Sequence, residues 1–221
     1  MERRVLFTGF DPFGGETLNP AWESVRRLDG RTLPGGWTVA AVQVPTVFDR
    51  SITILREAIA RLEPRVVICV GQAGGRAQIT PERVAINVND ARIPDNEGQQ
   101  PIDTPVVAGG PAAYFTRLPI KRIVAALREA GVPAAVSNSA GTYVCNHLFY
   151  GLMHLINTEF PGVRGGFIHI PYLPEQVAGK PEPSMGLDLI VRGLEIAATV
   201  TASAVDAGDD ADLALAAGRE C

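Results

Sequence analysis

Residues 51–71, SITILREAIARLEPRVVICVG, hold the pattern that decides the fold. The apolar residues of the first half are Ile52, Leu55, Ile59 and Leu62. They recur at steps of three and four residues, which predicts an amphipathic helix. The second half contains the uninterrupted apolar run Val66–Val70, which is typical of a strand buried on both faces. A helix that leads directly into such a strand indicates an α/β fold.

The rest of the chain continues this alternation. Five other β-rich runs are bounded by Gly, Pro or Asn and predict strands: Val5–Thr8, Trp37–Val44, Val84–Val88, Ala134–Ser137 and Gly166–Ile170. Two more helices are predicted, one between Pro119 and Gly131 and one from Cys145 toward Pro161. We therefore expect an α/β/α sandwich with a twisted, largely parallel (mixed) central sheet.

The length of 221 residues suits a single domain, so we predict one domain over residues 1–221. Residues 93–117 contain four prolines and a Gly-Gly pair and predict a long excursion of the kind that is often functional. Residues 204–221 are small and acidic, and this tail is expected to fray or to form a loose helix end.

Composition excludes several classes of protein. The chain is 46% hydrophobic and 20% charged, as in ordinary globular proteins. Its net charge of −4 lacks the basic excess of a protein that binds nucleic acid or an anionic membrane. Apolar runs such as Val66–Val70 are far shorter than the roughly 20 residues of a membrane span. Residues 1–20 lack the apolar core of a signal peptide, so a cytoplasmic location is expected.

Cys145 lies in residues 137–146, SNSAGTYVCN, a polar turn between a strand exit and a predicted helix. The free N–H groups at a helix start favour a thiolate and can bind an oxyanion, so Cys145 is a candidate nucleophile. A buried structural cysteine remains the alternative. Cys69 is expected to pack inside a strand and Cys221 to be exposed and idle; with three cysteines and no Cys-x-x-Cys, each is a free thiol.

Only three histidines could activate that thiol. His147 and His154 are seven residues apart on the predicted helix, about 10 Å along its axis, too far to share a zinc ion. His147 is also predicted to lie on a solvated helix face. His169 stands at the C-terminal end of a predicted strand, where the ligand crevices of α/β sheets lie. His169 is therefore the preferred base, with a structural histidine as the alternative, and the residues alone do not choose its carboxylate partner.

Two glycine-rich segments leave further alternatives open. Gly71–Gly75 follows a strand but lacks the spacing of a dinucleotide fingerprint or a P-loop, which leaves a phosphate- or nucleoside-binding protein as the second interpretation. The other segment places Phe10 and Phe13 in a turn after a strand. These rings either line a crevice for an apolar ligand or close the core.

Four segments, in order, carry a resemblance to a known family: FTGFDPFGG (7–15), ITPERVAIN with DARIPDN (79–87 and 90–96), SAGTYVCN (139–146) and FIHIPY (167–172). Over roughly residues 4–200 the sequence resembles the pyroglutamyl peptidase I family of cysteine peptidases. The resemblance implies that Cys145 is the nucleophile, His169 the base and Glu82 the carboxylate that orients the histidine. The first two agree with the reading of the residues, whereas Glu82 rests on the resemblance alone.

The resemblance also implies a substrate: a peptide with an N-terminal pyroglutamyl residue, hydrolysed through a thioester without a metal or organic cofactor. The uncharged lactam ring would pack against Phe10 and Phe13, because an apolar cleft penalises the ammonium of an ordinary N-terminus. Gln72 is implied near the lactam, Arg92 near the scissile bond and Thr46 in the wall. Members of the family often form tetramers. Asn89 and Ser139 replace the Asp and Thr expected from the family pattern.

Overall fold

The structure is a computed structural model and describes residues 2–218. Within these residues, six strands form the central sheet: β1 (Glu2–Phe10), β2 (Thr32–Leu33), β3 (Trp37–Val44), β4 (Pro64–Gln72), β5 (Thr80–Pro81) and β8 (Arg164–Ile170). Their order is β2-β3-β1-β4-β8-β5, with parallel pairing from β3 to β8 and antiparallel pairing at β2 and β5. The largely parallel, mixed sheet predicted from the sequence is confirmed.

Helices cover both faces of this sheet: α1 (Pro20–Val25), α2 (Arg50–Leu62), α3 (Ile120–Glu129), α4 (Val144–Thr158) and α5 (Leu187–Asp206). Val66, Ile68 and Val70 of β4 point into a core shared with α1, α3 and α5. Val67 and Cys69 point into the opposite core, shared with α2 and α4. The uninterrupted apolar run of β4 thus reflects burial on both faces, as an α/β/α sandwich requires. Among the described residues, no helix is long and apolar enough to cross a membrane.

Two of the six predicted strands differ from the structure. The strand expected at Val84–Val88 is β6 (Val84–Ile86), which lies outside the central sheet and pairs with β7 (Ala113–Phe115). The strand expected at Ala134–Ser137 is wrong, because these residues make only isolated bridges, to Ile79 and Glu82. The neighbouring strand β5 is two residues long, so it gives this segment too little backbone for a continuous ladder.

The predicted helices are confirmed, but the short helix α1 and the longest helix, α5, were missed. Helix α3 begins after Pro119 and ends before Gly131, whose positive φ of 75° suits a residue that follows a helix. Helix α4 begins at Val144 and places Cys145 in its first turn. Helix α5 has 20 residues, and its buried side is made largely of small residues that give a weak apolar pattern.

The acidic tail contacts the body of the protein as far as it is described. Residues 204–206 complete α5, and Asp209 pairs with Arg122 at 2.6 Å. The carboxylate of Asp212 accepts hydrogen bonds from the backbone N–H groups of Lys121 and Arg122 at 2.9 and 3.0 Å, which caps α3. Asp209 and Asp212 therefore join the first part of this tail to Arg122 and to the start of α3. Cys221 lies outside the described residues.

Candidate active site

The sheet brings His169 and Glu82 together. Strand β5 pairs with the end of β8 so that Thr80 lies opposite His169, and the backbone N–H of Glu82 donates to the carbonyl of Phe167 at 2.9 Å. This register places Glu82 Oε1 2.7 Å from His169 Nδ1. Both side chains are buried. The carboxylate therefore fixes the proton on Nδ1 and leaves Nε2 as the nitrogen that can accept another.

Gly71 is the point at which Cys145 meets the same histidine. In the β4–β8 pairing Gly71 lies directly beside His169, and register partners project from the same face of a sheet. A Cβ atom on Gly71 would stand only 2.9 Å from Cys145 Sγ and 2.7 Å from Phe167 Cζ. The sulfur therefore occupies the space that any side chain at position 71 would take. The first turn of α4 thus places the sulfur of Cys145 against β4 at the residue that pairs with His169.

Burial raises the pKa of the Cys145 thiol to about 12, the negative charge of Glu82 raises it as well, and the charge of Arg76 lowers it. This direction is opposite to the one that the helix start predicts, because desolvation disfavours the charged sulfur. A base must take the proton as the sulfur attacks.

The start of α4 offers backbone N–H groups to an anion. Tyr143 precedes the helix, and among the described residues no side chain caps its first turn. The N–H groups of Cys145 and Asn146 belong to this uncapped turn. The Asn146 side chain is buried and bonds the backbone of Ile86 and Val88, which fixes the helix start against the segment after β6. The amides next to the sulfur are therefore held in place.

Glu82 is ionised although it is fully buried. Burial raises its pKa, but the hydrogen bond and charge of His169 lower it more, with help from Ser137 and Arg76, and the pKa lies below its ordinary value. Arg76 Nη1 lies 2.7 Å from Glu82 Oε1. The sequence reasoning missed Arg76, because its contact depends on how the preceding glycine-rich loop turns back toward β5.

The predicted substrate-binding residues fall into two groups. Phe13 and Arg92 line a cavity of about 780 Å³ together with Tyr143, which lies two residues before Cys145. Phe10 is 2% exposed, and its ring packs against Phe167 with 6.4 Å between centroids. The ring of Phe10 therefore closes the core, whereas that of Phe13 faces the cavity.

Thr46 and Gln72 lie in the supporting structure around this region. Thr46 is buried, and its backbone N–H donates to Asp11 Oδ1 at 2.7 Å. Gln72 is the last residue of β4, and its side-chain oxygen accepts from Gln176 Nε2 at 2.9 Å. Thr46 joins the ends of β1 and β3, and Gln72 joins the end of β4 to the segment after β8.

His147 does not lie on a solvated helix face, as the sequence predicted. Its side chain is fully buried, because α4 is covered on that side by Phe48 and by the segment that contains Asn89. Its Nδ1 lies 2.9 Å from Asn89 Oδ1, and its Nε2 accepts the backbone N–H of Asp49 at 2.8 Å. In the described part of the chain, no group of three His, Cys, Asp or Glu side chains is placed to hold a metal ion.

Comparison with known proteins identifies the family. A family model described as pyroglutamyl peptidase matches residues 3–204. The chain belongs to the pyroglutamyl peptidase family. The pyrrolidone-carboxylate peptidase of Bacillus licheniformis, one relative within this family, is 62% identical over 202 residues, which cover 91% of this chain and 94% of that protein.

Solved structures of the pyroglutamyl peptidase family share the fold. Pyroglutamyl peptidase I from Bacillus amyloliquefaciens matches with a TM-score of 0.93 and 58% identity, over 98% of this chain and 100% of that one. Pyrrolidone carboxyl peptidase from Thermococcus litoralis matches with a TM-score of 0.91 and 37% identity, over 96% and 99%. The likeness extends over nearly the whole chain, including both layers of helices.

Membership of the pyroglutamyl peptidase family bears on the loop Gly71–Gly75. The alternative, a phosphate- or nucleoside-binding protein that uses this loop, is not supported by any of these relatives. The loop also packs tightly against Tyr172, since a Cβ on Gly74 would lie 2.4 Å from the Tyr172 hydroxyl oxygen. The tight packing of Gly74 against Tyr172 leaves little space at this point of the loop.

Proposed function

We propose that this protein hydrolyses the amide bond between an N-terminal pyroglutamyl residue and the rest of a peptide, with Cys145 as nucleophile, His169 as base and Glu82 as its orienting carboxylate. One observation carries the proposal. The hydrogen bond of 2.7 Å between His169 Nδ1 and Glu82 Oε1 lies next to Gly71, over which the sulfur of Cys145 sits. A thiol, an imidazole and a carboxylate placed in this order are the parts of a cysteine-peptidase triad.

Acylation begins with a proton transfer, because a thiol with a raised pKa has to lose its proton in order to attack. The S–H proton moves to His169 Nε2 while the sulfur forms a bond to the pyroglutamyl carbonyl carbon. Negative charge develops on the carbonyl oxygen, where the uncapped N–H groups at the start of α4 stabilise it. His169 then gives the proton to the departing amine nitrogen as the C–N bond breaks, and a thioester remains on Cys145.

Deacylation uses the same groups in the opposite direction. His169 takes a proton from a water molecule as its oxygen attacks the thioester carbonyl carbon. The C–S bond breaks, the proton returns to the sulfur, and pyroglutamate leaves. Each cycle consumes one water molecule and restores the neutral thiol. Throughout, Glu82 stabilises the imidazolium form of His169 and keeps its ring in one orientation.

The cavity beside α4 suits the acyl part of this substrate. Its rings, Phe13 and Tyr143, are 6.3 Å apart between centroids and supply an apolar surface for the lactam ring. Against these rings an ammonium group would lose part of its hydration, a cost that the uncharged lactam does not carry. The cavity also contains the charged residues Asp90 and Arg92 on its wall. Arg92 is exposed on the cavity wall and is proposed to lie near the scissile bond. Phe10 would support the pocket from behind.

Two further groups complete the proposed pocket. The main chain at Gln72 ends β4 one residue after Gly71 and is proposed to pair with the lactam N–H and C=O. Thr46 ties the loop after β3 to the end of β1 and to Asn96, and it would hold the adjacent wall. Both proposals rest on the resemblance and on the position of these residues at the ends of strands, where ligands of α/β sheets bind.

The decisive experiment measures release of the chromophore from a pyroglutamyl anilide. The native protein should turn over this substrate, and both iodoacetamide and Cys145→Ser should abolish the turnover. Cys69→Ala is the matched control, because Cys69 is a fully buried thiol in the core and should be dispensable for activity. A Cys145→Ser variant that retains most of the activity, or a native protein without any, would contradict the proposal.

The cellular setting is inferred from the resemblance. The protein is proposed to act in the cytoplasm and to assemble as a homo-oligomer, a tetramer in the first instance. The exposed side chains of Phe115 and Ile102, 70% and 56% accessible, would be partly covered in an assembly. Multi-angle light scattering tests the assembly, and a monomer at all accessible concentrations would exclude it.

A further inference from the structure

Arg76 connects three segments that surround Glu82. Its Nη1 donates to Thr80 Oγ1 and to Glu82 Oε1, both at 2.7 Å. Its Nη2 donates to the carbonyl oxygen of Ser139 at 3.1 Å. Thr80 lies on β5 opposite His169, and Ser139 lies in the turn that leads into α4. One guanidinium group therefore contacts the carboxylate, the strand next to the imidazole and the turn before the nucleophile.

The two oxygens of Glu82 are used unequally. Oε1 receives both His169 Nδ1 and Arg76 Nη1, each at 2.7 Å. Oε2 is buried, and among the described residues it has no hydrogen-bond partner. The two charge-assisted contacts of the carboxylate therefore both fall on Oε1, with the Ser137 side chain as a neutral neighbour. Without Arg76, the imidazole would be the one remaining charge-assisted partner, and the carboxylate could rotate more freely.

The charge of Glu82 also requires a positive partner. The Glu82 side chain is fully buried, and a buried carboxylate is stable only when it is paired. The titratable and charged groups that face it are His169 from β8, Arg76 from the glycine-rich loop and Cys145 from α4. The imidazole is charged only after it has taken a proton. Arg76 is thus the permanent positive charge beside Glu82 in every state of the reaction.

We propose that Arg76 is a positioning residue of the catalytic apparatus, which holds Glu82 Oε1 against His169 and fixes the turn before Cys145 through Ser139. This inference rests on the proposed function, in which Glu82 orients the base. Arg76 itself touches neither substrate nor the reacting atoms. Its loss should therefore act through Glu82 and the imidazole, which predicts a fall in kcat with little change in KM.

The surroundings of Arg76 allow a specific test. Its side chain is 29% exposed and lines a surface cavity of about 310 Å³ together with Ser137 and Ser139. Truncation to alanine would enlarge this cavity toward Glu82, where a guanidinium ion from solution could take the place of the lost group. Arg122 is a matched control, because it is also 29% exposed and pairs with a single carboxylate, Asp209, far from the site.

The experiment compares Arg76→Ala, Arg76→Lys and Arg122→Ala in hydrolysis of the pyroglutamyl anilide across pH. For Arg76→Ala we expect kcat to fall about hundredfold, as for a small misplacement of a catalytic group. The acidic limb of its kcat/KM profile should move to higher pH, because Glu82 without the neighbouring cation holds its proton more strongly. Arg76→Lys should keep the acidic limb near its native pH but should recover less of the native rate, since lysine restores the charge without the forked contact. Arg122→Ala should match the native protein.

Added guanidinium chloride at non-denaturing concentration should restore part of the Arg76→Ala rate. Urea, which is neutral, and sodium chloride at equal ionic strength should not. An Arg76→Ala protein with the native melting temperature, rate and pH profile would overturn the proposal. The proposal would also be overturned if the Arg76→Ala rate falls equally at every pH, is not restored by guanidinium, and is no better in Arg76→Lys. That result would indicate only a structural role for Arg76.

A readout without peptide substrate separates this proposal from the proposed function. The alkylation of Cys145 by iodoacetamide can be followed by mass spectrometry as a function of pH. The curve of alkylation rate against pH should move to higher pH in Arg76→Ala and should move back when guanidinium is added. If the native protein does not cleave the anilide, the proposed function fails, and the alkylation curve still decides whether Arg76 controls the thiol and its base. An alkylation curve identical to that of the native protein would count against Arg76 in either case.

Discussion

Two buried histidines lie close to the start of α4, and their surroundings differ in one chemical respect. His169 has a carboxylate on Nδ1, Glu82 at 2.7 Å. His147 has a neutral amide on Nδ1, Asn89 at 2.9 Å, and its Nε2 already accepts a backbone N–H from Asp49. Burial lowers the pKa of His147 to about 4, although the charges of Asp49 and Asp95 raise it.

This difference suits His169 to act as a base and His147 to hold the local backbone. A proton taken up at His169 Nε2 would place an imidazolium next to the Glu82 carboxylate, which lies 2.7 Å from Nδ1. Taking up a proton at His147 would break the bond from Asp49 and bury a charge beside an amide. The neutral ring of His147 instead holds the backbone of Asp49, whose φ of 57° is unusual for a residue other than glycine. Burial of a histidine in this protein therefore says little about function until its partners are known.

The largest effect should come from exchanging each histidine for glutamine. His169→Gln removes the base and should lower kcat/KM by about 10⁴-fold, at the upper end of what a general base contributes. His147→Gln keeps a neutral acceptor near Asp49 and should leave kcat/KM close to native while it lowers the melting temperature. Hydrolysis of the pyroglutamyl anilide and thermal unfolding measure the two properties. Equal kinetic losses in both variants would remove the distinction.

Glu82→Gln gives His169 the kind of partner that His147 has. The amide still reaches Nδ1 but no longer stabilises the imidazolium, so we expect kcat/KM to fall about 10²-fold, less than on loss of the base itself. In Glu82→Gln the pH profile of kcat/KM should lose part of the acidic limb that the native protein shows, because residue 82 no longer titrates. Kinetics across pH measure this change. An unaltered rate and profile would exclude Glu82 from the catalytic apparatus.

The local sequence predicted the candidate nucleophile and base, but it did not point to Glu82 or Arg76. Cys145 and His169 were predicted because a helix start and a strand end are recognisable locally, and their meeting at one edge follows from a parallel sheet. Glu82 is one of 24 acidic residues, and it meets His169 only through a strand of two residues, so it came from the family resemblance. Arg76 was missed for the same reason, since a turn of the loop creates its contacts.

The errors have a shared cause in tertiary burial. His147 was placed on a solvated face because a helix usually keeps one face in water, but α4 is buried on nearly all sides. The direction of the pKa shift of Cys145 differs from the one expected at a helix start, because the sequence shows the helix start and not the layers that cover the thiol. Local patterns therefore predicted where the groups lie better than how they are charged.

Stability against acid should report on the His147 side of the comparison. The unfolded chain takes up a proton at His147 near pH 6.5, whereas the folded protein keeps it neutral down to about pH 4. Stability from this residue is therefore complete above pH 6.5 and decreases as the pH falls through that window, by roughly 3 kcal/mol. Urea unfolding at several pH values should show a flatter dependence for His147→Gln.

Asn89→Asp provides the opposite change at the same place. A carboxylate beside Nδ1 should raise the pKa of His147 in the folded protein, so less stability should be lost on acidification. This variant also restores the aspartate expected from the family pattern. If native protein, His147→Gln and Asn89→Asp lose stability in parallel between pH 6.5 and pH 4, His147 is not the group responsible.

Gly71 tests the contact that His169 has and His147 lacks, the neighbouring sulfur. A methyl group at position 71 would meet Cys145 Sγ at 2.9 Å and Phe167 Cζ at 2.7 Å, and Phe167 is packed among other rings. The sulfur must move away from the imidazole, and we expect Gly71→Ala to lower kcat/KM about tenfold while Cys145 stays reactive. Gly186→Ala is the matched control, since a Cβ there meets nothing within 4 Å. Full activity in Gly71→Ala would show that the thiol does not depend on this close approach, and the placement of Cys145 beside His169 would then need another explanation.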